Sequence, residues 1–309
     1  MAGAQRIYKQ KIRATETLEK VFNAMEMIAA SRVGAARRRA TEATPYSQAI
    51  TKALQALAMH AHFDHPLTST RNDTKRVAVL AVASDRGMAG AYSSTILHET
   101  DKLLGELRED GKEPVLYVVG RRTLSYFKFR GVTVEESWEG NSDNPTTEVM
   151  YEVGDRLLER FLDQNPETGV GAVYLVFTRF ESMLRQVPEI RQMLPLKIVS
   201  APKSVIDGED AIPEPGTFDL YPEYEFIPSA EAVLDRLLPM YVSNRIVAAM
   251  LEAAASELAS RQRAMRTASD NARELITNYT RLANQARQAE ITQEITEIVS
   301  GANALTGQL

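Results

Sequence analysis

The chain has 309 residues, with 36 Lys and Arg against 41 Asp and Glu, 44% hydrophobic residues and no cysteine. That balance excludes a wholly disordered chain, and the missing thiols exclude a disulfide framework, a thiolate metal site and a thiol nucleophile or redox switch. The length suggests two domain-sized units of about 150 residues each. No run of about 18 apolar residues occurs, and Met1 to Arg13 is polar and basic with no apolar core, so neither a membrane span nor an export signal is expected.

Residues 1–60 carry ten Lys and Arg against four Asp and Glu, while residues 200–240 are dominated by acids, so the net charge of −5 hides a dipolar chain. Ile7, Ala14, Leu18, Val21, Met25, Ile28 and Ala35 recur at helical spacing and predict a long amphipathic helix. Gly34 weakens it modestly and Pro45 is expected to break or kink it, after which Ile50, Ala53, Leu54 and Leu57 resume an apolar face. The basic run Arg37, Arg38 and Arg39, with Arg32 before it, could face phosphate, acidic protein loops or water; a solvated helix face is the simplest reading. Nucleic acid is not an expected partner, because neither a larger basic excess nor nearby aromatic stacking residues accompany the run. His60, His62 and His65 follow. With no carboxylate constellation beyond Asp64, a solvated turn explains them better than a metal site, and no metal or cofactor is expected.

The middle of the chain alternates short β-branched runs with helical stretches. Val77–Ala83 reads as a buried strand, Tyr92–Arg108 as a helix, Val115–Gly120 as a strand and Thr123–Phe129 as a short helix. A strand at Val132–Val134, a helix over Thr146–Leu162, a strand over Ala172–Thr178 and an edge strand at Leu194–Val199 complete the series. This alternation predicts an open α/β layer with parallel strands, a Rossmann-like domain. The turn Ser84-Asp85-Arg86-Gly87-Met88-Ala89-Gly90 lies where a doubly wound fold would hold phosphate at a helix N-terminus. Its two glycines fit neither a P-loop nor a dinucleotide fingerprint. A structural turn is favoured, in which the glycines allow positive φ and Asp85 or Ser84 satisfies backbone donors. No nucleophile elbow occurs, His98 lies within a predicted helix, and no catalytic residues are assigned. Residues 201–228 are rich in Pro, Gly and acids and read as a surface loop.

Pro239 is the last proline and no glycine follows until Gly301, so the C-terminal part reads as one helix of about 60 residues, roughly 90 Å at 1.5 Å per residue. Val247, Leu251, Ala254, Leu258, Met265, Ala268, Ala272, Leu275, Tyr279, Leu282 and Ala286 form a heptad seam, with Arg261 at one seam position. After Ala286 the phase slips, and Ile291, Ile295, Ile298 and Ala302 carry the pattern into a different environment. The two terminal helices can bury their seams against each other as an antiparallel coiled coil. The organisation expected is an N-terminal helix over 1–60, a central α/β domain over 75–228 and a C-terminal helix over 229–309.

The stretch around Ala24-Met25-Glu26-Met27-Ile28-Ala29-Ala30-Ser31, the turn Ser84–Ser93, the run Arg185–Leu196 and above all Ala286–Leu305 (ARQAEITQEITEIVSGANAL) resemble the gamma subunit of F-type ATP synthase. Small departures occur: Met88, Ala89, Ala91 and Ser93 stand where the family usually has Leu, Cys, Gly and Asn, Arg32 replaces Lys, and Gln262 replaces Met. The resemblance implies a non-catalytic rotor whose terminal helices form a shaft inside a ring of alpha and beta subunits. It further implies a foot that docks on the epsilon subunit and the membrane ring of c subunits, peripheral to the cytoplasmic side of the cell membrane, and no dithiol switch. By position, Arg287 and Gln288 match a pair expected to contact a beta-subunit loop, Gln293, Thr296 and Glu297 extend that polar face, and Met25 matches a position facing the acidic beta-subunit lever. An oligomeric coiled-coil scaffold or signalling protein, with helices paired between chains, is the second reading, and a nucleotide-binding enzyme using the turn at Gly87 the third.

Overall fold

The computed structural model describes residues 2–58, 65–71, 73–196, 226–227 and 229–306. Apart from residues 226 and 227, the predicted acidic loop 201–228 lies outside the described residues, as do His60, His62 and residues 197–199 of the expected edge strand. The elements in chain order are α1 (Ala2–Ala58), β1 (Arg76–Val82), α2 (Tyr92–Glu109), β2 (Glu113–Val119), α3 (Arg121–Phe129), β3 (Val134–Trp138), α4 (Thr147–Leu162), β4 (Ala172–Phe180), β5 (Gln186–Leu194) and α5 (Ala230–Thr306). The chain divides into two compact units, one of residues 31–260 and one of residues 1–30 with 261–309.

In the 31–260 unit the five strands lie in the order β3-β2-β1-β4-β5, all parallel except β5, which returns antiparallel beside β4. Strand β1 is central and buried on both faces, which is why it reads as a continuous apolar run. Its side chains alternate between two cores. Val77, Val79 and Ala81 share a cluster with Ile96, Leu103 and Leu104 of α2 and Leu124 and Phe127 of α3. Ala78, Leu80 and Val82 share the other with Val153, Leu157 and Phe161 of α4, Ile50, Leu54 and Leu57 of α1, and Leu238, Val242 and Ile246 of α5. Thr146 caps α4, its hydroxyl accepting from the Val149 amide.

Two strands differ from expectation. β3 spans Val134–Trp138 instead of Val132–Val134, because Gly131, at φ 70, turns the chain and Val132 still bonds back to Phe127. The edge strand is β5, Gln186–Leu194, pairing Phe180↔Gln186 through Val173↔Leu194. Pro188 and the charges Glu189 and Arg191 disguise it in the sequence, yet an edge strand is the one place in a sheet where a proline is tolerated.

Neither proline ends its helix. α1 runs through Pro45, and α5 starts at Ala230 and runs through Pro239. The carbonyls each ring leaves without a donor, those of Thr41 and Asp235, belong to exposed residues, where water replaces the lost bond. Beyond Pro45 the burial of Ile50, Leu54 and Leu57 holds the helix in place. From Tyr241 to Ala259 α5 is buried almost all round, as a helix enclosed by other elements must be.

In the other unit α1 and α5 pair antiparallel. The Tyr8 and Tyr279 rings lie 6.4 Å apart, Arg273 Nε donates to Glu19 Oε1 at 3.0 Å, and Ser269 Oγ bonds Asn23 Oδ1 at 2.7 Å. On α5 the expected seam is largely the one observed: Arg261, Met265 and Ala272 are buried, Ala268, Tyr279, Leu282 and Ala286 half-buried, while Leu275 is exposed and Ile276 takes its place. On α1 the expected face is turned outward. Ile7, Leu18, Val21 and Ile28 are 54%, 50%, 45% and 55% exposed. Ala14 and Ala35 are exposed too, and of that series Met25 alone is half-buried. The inward face lies one position later, at Tyr8, Ile12, Thr15, Glu19, Phe22, Asn23, Glu26, Ala29 and Val33. Polar cross-helix bonds, not apolar periodicity, select that face.

Candidate functional site

The carboxyl ends of β1 and β2 meet at the turn 84–90. Asp85 organises it: Oδ1 accepts from the Arg121 amide at 2.9 Å and the Gly140 amide at 3.0 Å, and Oδ2 from the Ser142 amide at 2.7 Å. Burial alone would push this carboxyl up, but the backbone N–H groups of Gly140, Ser142 and Arg121 and the Ser142 side chain together hold it below the usual carboxylate range. Gly90 has φ 59, as a turn glycine should, whereas the second left-handed residue is Met88, at φ 63, and not Gly87. Gly87, with no positive φ, is crowded only by the end of a long side chain. A Cβ there would lie 3.0 Å from the Arg122 guanidinium.

In open α/β sheets the ligand crevice lies where neighbouring strands leave in opposite directions, here between β1 and β4. α5 spans that place: the Tyr92 hydroxyl, from the start of α2, donates to the Ala253 carbonyl at 3.1 Å, and the Ser256 hydroxyl donates to the Thr178 carbonyl of β4 at 3.1 Å. Protein, not an open cleft, fills the crevice. His65, the described member of the histidine group, accepts from the Leu67 amide through Nδ1 at 3.0 Å and sets Nε2 3.4 Å from Asp235 Oδ1. Burial lowers its pKa, with Asp235 opposing.

The residues expected to contact partners lie at two levels of the helix pair. Met25 is half-buried on α1, while Arg287, Gln288, Gln293, Thr296 and Glu297 are all exposed on α5. Gln293 Nε2 donates to Glu297 Oε1 at 2.8 Å, the Thr296 hydroxyl donates to the Thr292 carbonyl at 2.8 Å, and the Thr292 hydroxyl to the Gln288 carbonyl at 2.9 Å. These five therefore share one stretch of helix. With Asn23 opposite Ser269, Met25 lies opposite residue 267, so about 30 Å of helix separates it from Arg287. α5 beyond Glu290 has no helix beside it among the described residues, and Ile291, Ile295, Ile298 and Val299 are exposed there. Together with the outward stripe of α1, which spacing alone assigns to the seam, this gives the pair an apolar exterior; the α5 residues meet the different environment expected after the phase slip.

The basic run is exposed, as a solvated face should be, and three of its arginines also make contacts within the unit. Arg32 Nη1 donates to Asp143 Oδ2 at 2.8 Å, Arg39 donates to Asn144 Oδ1, and the Arg37 guanidinium lies 5.6 Å from the centre of the Phe180 ring. Arg32 and Arg39 thus touch the loop between β3 and α4, and Arg37 the end of β4.

A family model described as ATP synthase matches residues 4–305. Among curated relatives, the ATP synthase gamma chain of Beutenbergia cavernae is 55% identical over 305 residues, covering 99% of both chains. That of a Nocardioides strain is 50% identical, covering 99% of this chain and 97% of its own. Among solved structures, a chain of the Euglena gracilis mitochondrial ATP synthase, OSCP/F1/c-ring, aligns over 99% of this chain and 95% of its own, with a TM-score of 0.65 at 15% identity. A chain of the Tetrahymena thermophila mitochondrial ATP synthase central stalk/c-ring aligns over 81% of this chain and 99% of its own, with a TM-score of 0.56 at 20% identity. These two likenesses concern the fold.

Proposed function

The chain belongs to the ATP synthase gamma chain family, and from that membership we propose that it is the central-stalk rotor of an F-type ATP synthase. Its helix pair turns within a ring of alpha and beta subunits, and its α/β unit joins the epsilon subunit and the c-subunit ring. Proton-driven rotation of that ring is carried to the beta subunits, where ATP is made, and hydrolysis drives the reverse. The chain itself holds no catalytic site, and it works peripherally at the cytoplasmic side of the cell membrane. No helix among the described residues is long and apolar enough to cross one.

The observation that carries this reading is the apolar exterior of a helix pair already closed upon itself. Ile7, Leu18, Val21 and Ile28 on α1 and Ile291, Ile295 and Ile298 on α5 face outward although the seam is satisfied within the chain. Exposed apolar stripes of this extent mark surfaces meant for other proteins. A scaffold pairing its helices between chains would instead leave its seam open. The α5 segment lying across the β1–β4 crevice likewise weighs against a nucleotide-binding enzyme. A turning shaft biases three equivalent sites only if each orientation contacts them differently, and Arg287, Gln288, Gln293, Thr296, Glu297 and Met25 are the contacts proposed for that role.

The test is to combine the chain with alpha and beta subunits and attach a bead to its α/β unit. One copy per complex, with the bead rotating during ATP hydrolysis, is expected. A complex that hydrolyses ATP while the bead stays still defeats the proposal.

A further inference from the structure

The arginines of α1 are placed to do more than keep a helix soluble. Arg32 and Arg39 stand seven residues apart, two turns on one helix face, and both reach the same loop between β3 and α4, at Asp143 and Asn144. That loop is fastened to the sheet at its other side, since Asp85 accepts from the amides of Gly140 and Ser142 while also holding Arg121 at the end of β2. A continuous series of polar bonds therefore runs from α1 through residues 140–144 to the carboxyl ends of β1 and β2. Elsewhere in this unit α1 is held by apolar burial of Val33, Ala36, Ile50, Leu54 and Leu57, by the Arg37 guanidinium over the Phe180 ring, and by Asn244 Nδ2 donating to Ser47 Oγ at 2.7 Å, a bond to α5 and not to the sheet. Apolar burial is non-directional and resists separation better than turning about the helix axis. Hydrogen-bonded charge is directional. A cavity of about 340 Å³ beside these contacts is lined by Arg32, Arg39 and Arg86, and Asp143, with its side chain 11% exposed, is the one carboxylate in its lining.

We propose that Arg32–Asp143, seconded by Arg39–Asn144, is a clamp that locks α1 against the sheet and passes torque between them. The inference rests on the rotor reading and adds the residues through which the load crosses from α/β unit to helix. Asp143 is a positioning residue: it touches no reacting group and acts by fixing Arg32.

The test uses the assembled membrane complex with R32D, D143R, D143N and the exchanged pair R32D/D143R, reading ATP hydrolysis and ATP-driven proton pumping in the same vesicles. Expected are hydrolysis close to the unaltered level and pumping per ATP reduced about threefold or more in R32D and D143R, the scale of coupling between contacting residues. The exchanged pair should recover most of that loss. D143N keeps the loop's shape without its charge and should fall between. Single variants that pump as well as the unaltered chain overturn the clamp, as does an exchanged pair no better than either single. A proportional fall in hydrolysis and pumping also overturns it, since that reports faulty assembly. If the complex with the unaltered chain hydrolyses ATP but fails to pump, the rotor reading itself fails, an outcome separate from all of these.

Discussion

Replacing Asp85 with asparagine turns one carboxylate oxygen into a donor facing backbone N–H groups, so D85N is expected to cost about 1–3 kcal/mol. Because the folded chain holds this carboxyl below its ordinary value near 3.8, the ionised form is the one stabilised. That stabilisation is complete above the unfolded value and is lost as pH falls through the lower, folded one. Urea titrations at neutral pH and near pH 3 should therefore show the gap between D85N and the unaltered chain narrowing in acid. A gap independent of pH would assign its role to shape alone. In the same turn, M88G should gain about 1 kcal/mol by relieving a left-handed methionine, partly offset by added freedom in the unfolded chain, read as a higher urea midpoint. The capping role of Asp85 was legible because a strand followed by Ser-Asp and two glycines needs a donor sink. Met88 was not, since spacing makes both glycines equal candidates for positive φ. The crowding at Gly87 comes from Arg122, thirty-odd residues on, and local spacing contains no record of it.

At the scale of elements, the two halves of α1 make opposite predictions. Leu54 is fully buried between sheet and helices, and L54A should cost about 2–5 kcal/mol. Leu18 is half exposed, and L18A should change the isolated chain's stability by no more than about 0.5 kcal/mol. Thermal melts of the two variants decide whether the outward face has been placed correctly. β1, β2 and β4 were readable because burial on both faces of their central residues leaves apolar, β-branched runs, with charge only at the strand ends. β5 was not, because an edge strand tolerates Pro188 and charge. The inner face of α1 was hidden for a different reason: Glu19 and Asn23 lie inward because Arg273 and Ser269 receive them, and a one-helix pattern contains no record of its partner's polar groups.

At the scale of the whole molecule, the residues proposed as contacts separate into two levels, and each calls for its own experiment. R287A with Q288A should leave the melting temperature of the isolated chain unchanged, because both side chains are exposed. It should lower rotation-linked ATPase of the assembled complex by roughly tenfold, the cost of truncating an interface hot spot. M25K, about 30 Å away along the pair, should instead leave hydrolysis running while reducing proton pumping per ATP, the outcome expected if Met25 faces the acidic beta-subunit lever as proposed and the lysine pairs with it. Equal effects on both readouts from both variants would remove the distinction between the levels. The positions of these residues came from resemblance. Their separation required the antiparallel register, which spacing within one helix does not contain.

The burial of α5 between Tyr241 and Ala259 also imposes an order of events on synthesis. A ribosome releases α1, the strands and α2 to α4 before it has made residue 241, so the face of the sheet bearing Ala78, Leu80 and Val82 emerges with α1 and α4 but without the α5 part of its cover. Domains usually fold as they leave the ribosome, at about 5–20 residues per second, but here the sheet must wait several seconds for the last quarter of the chain. A nascent chain halted before residue 230 should remain open to protease across β1 and β4, and one halted after residue 260 has cleared the exit tunnel should not. A single late-made helix thus completes the core of the sheet domain, and the folding of everything made before it depends on its arrival.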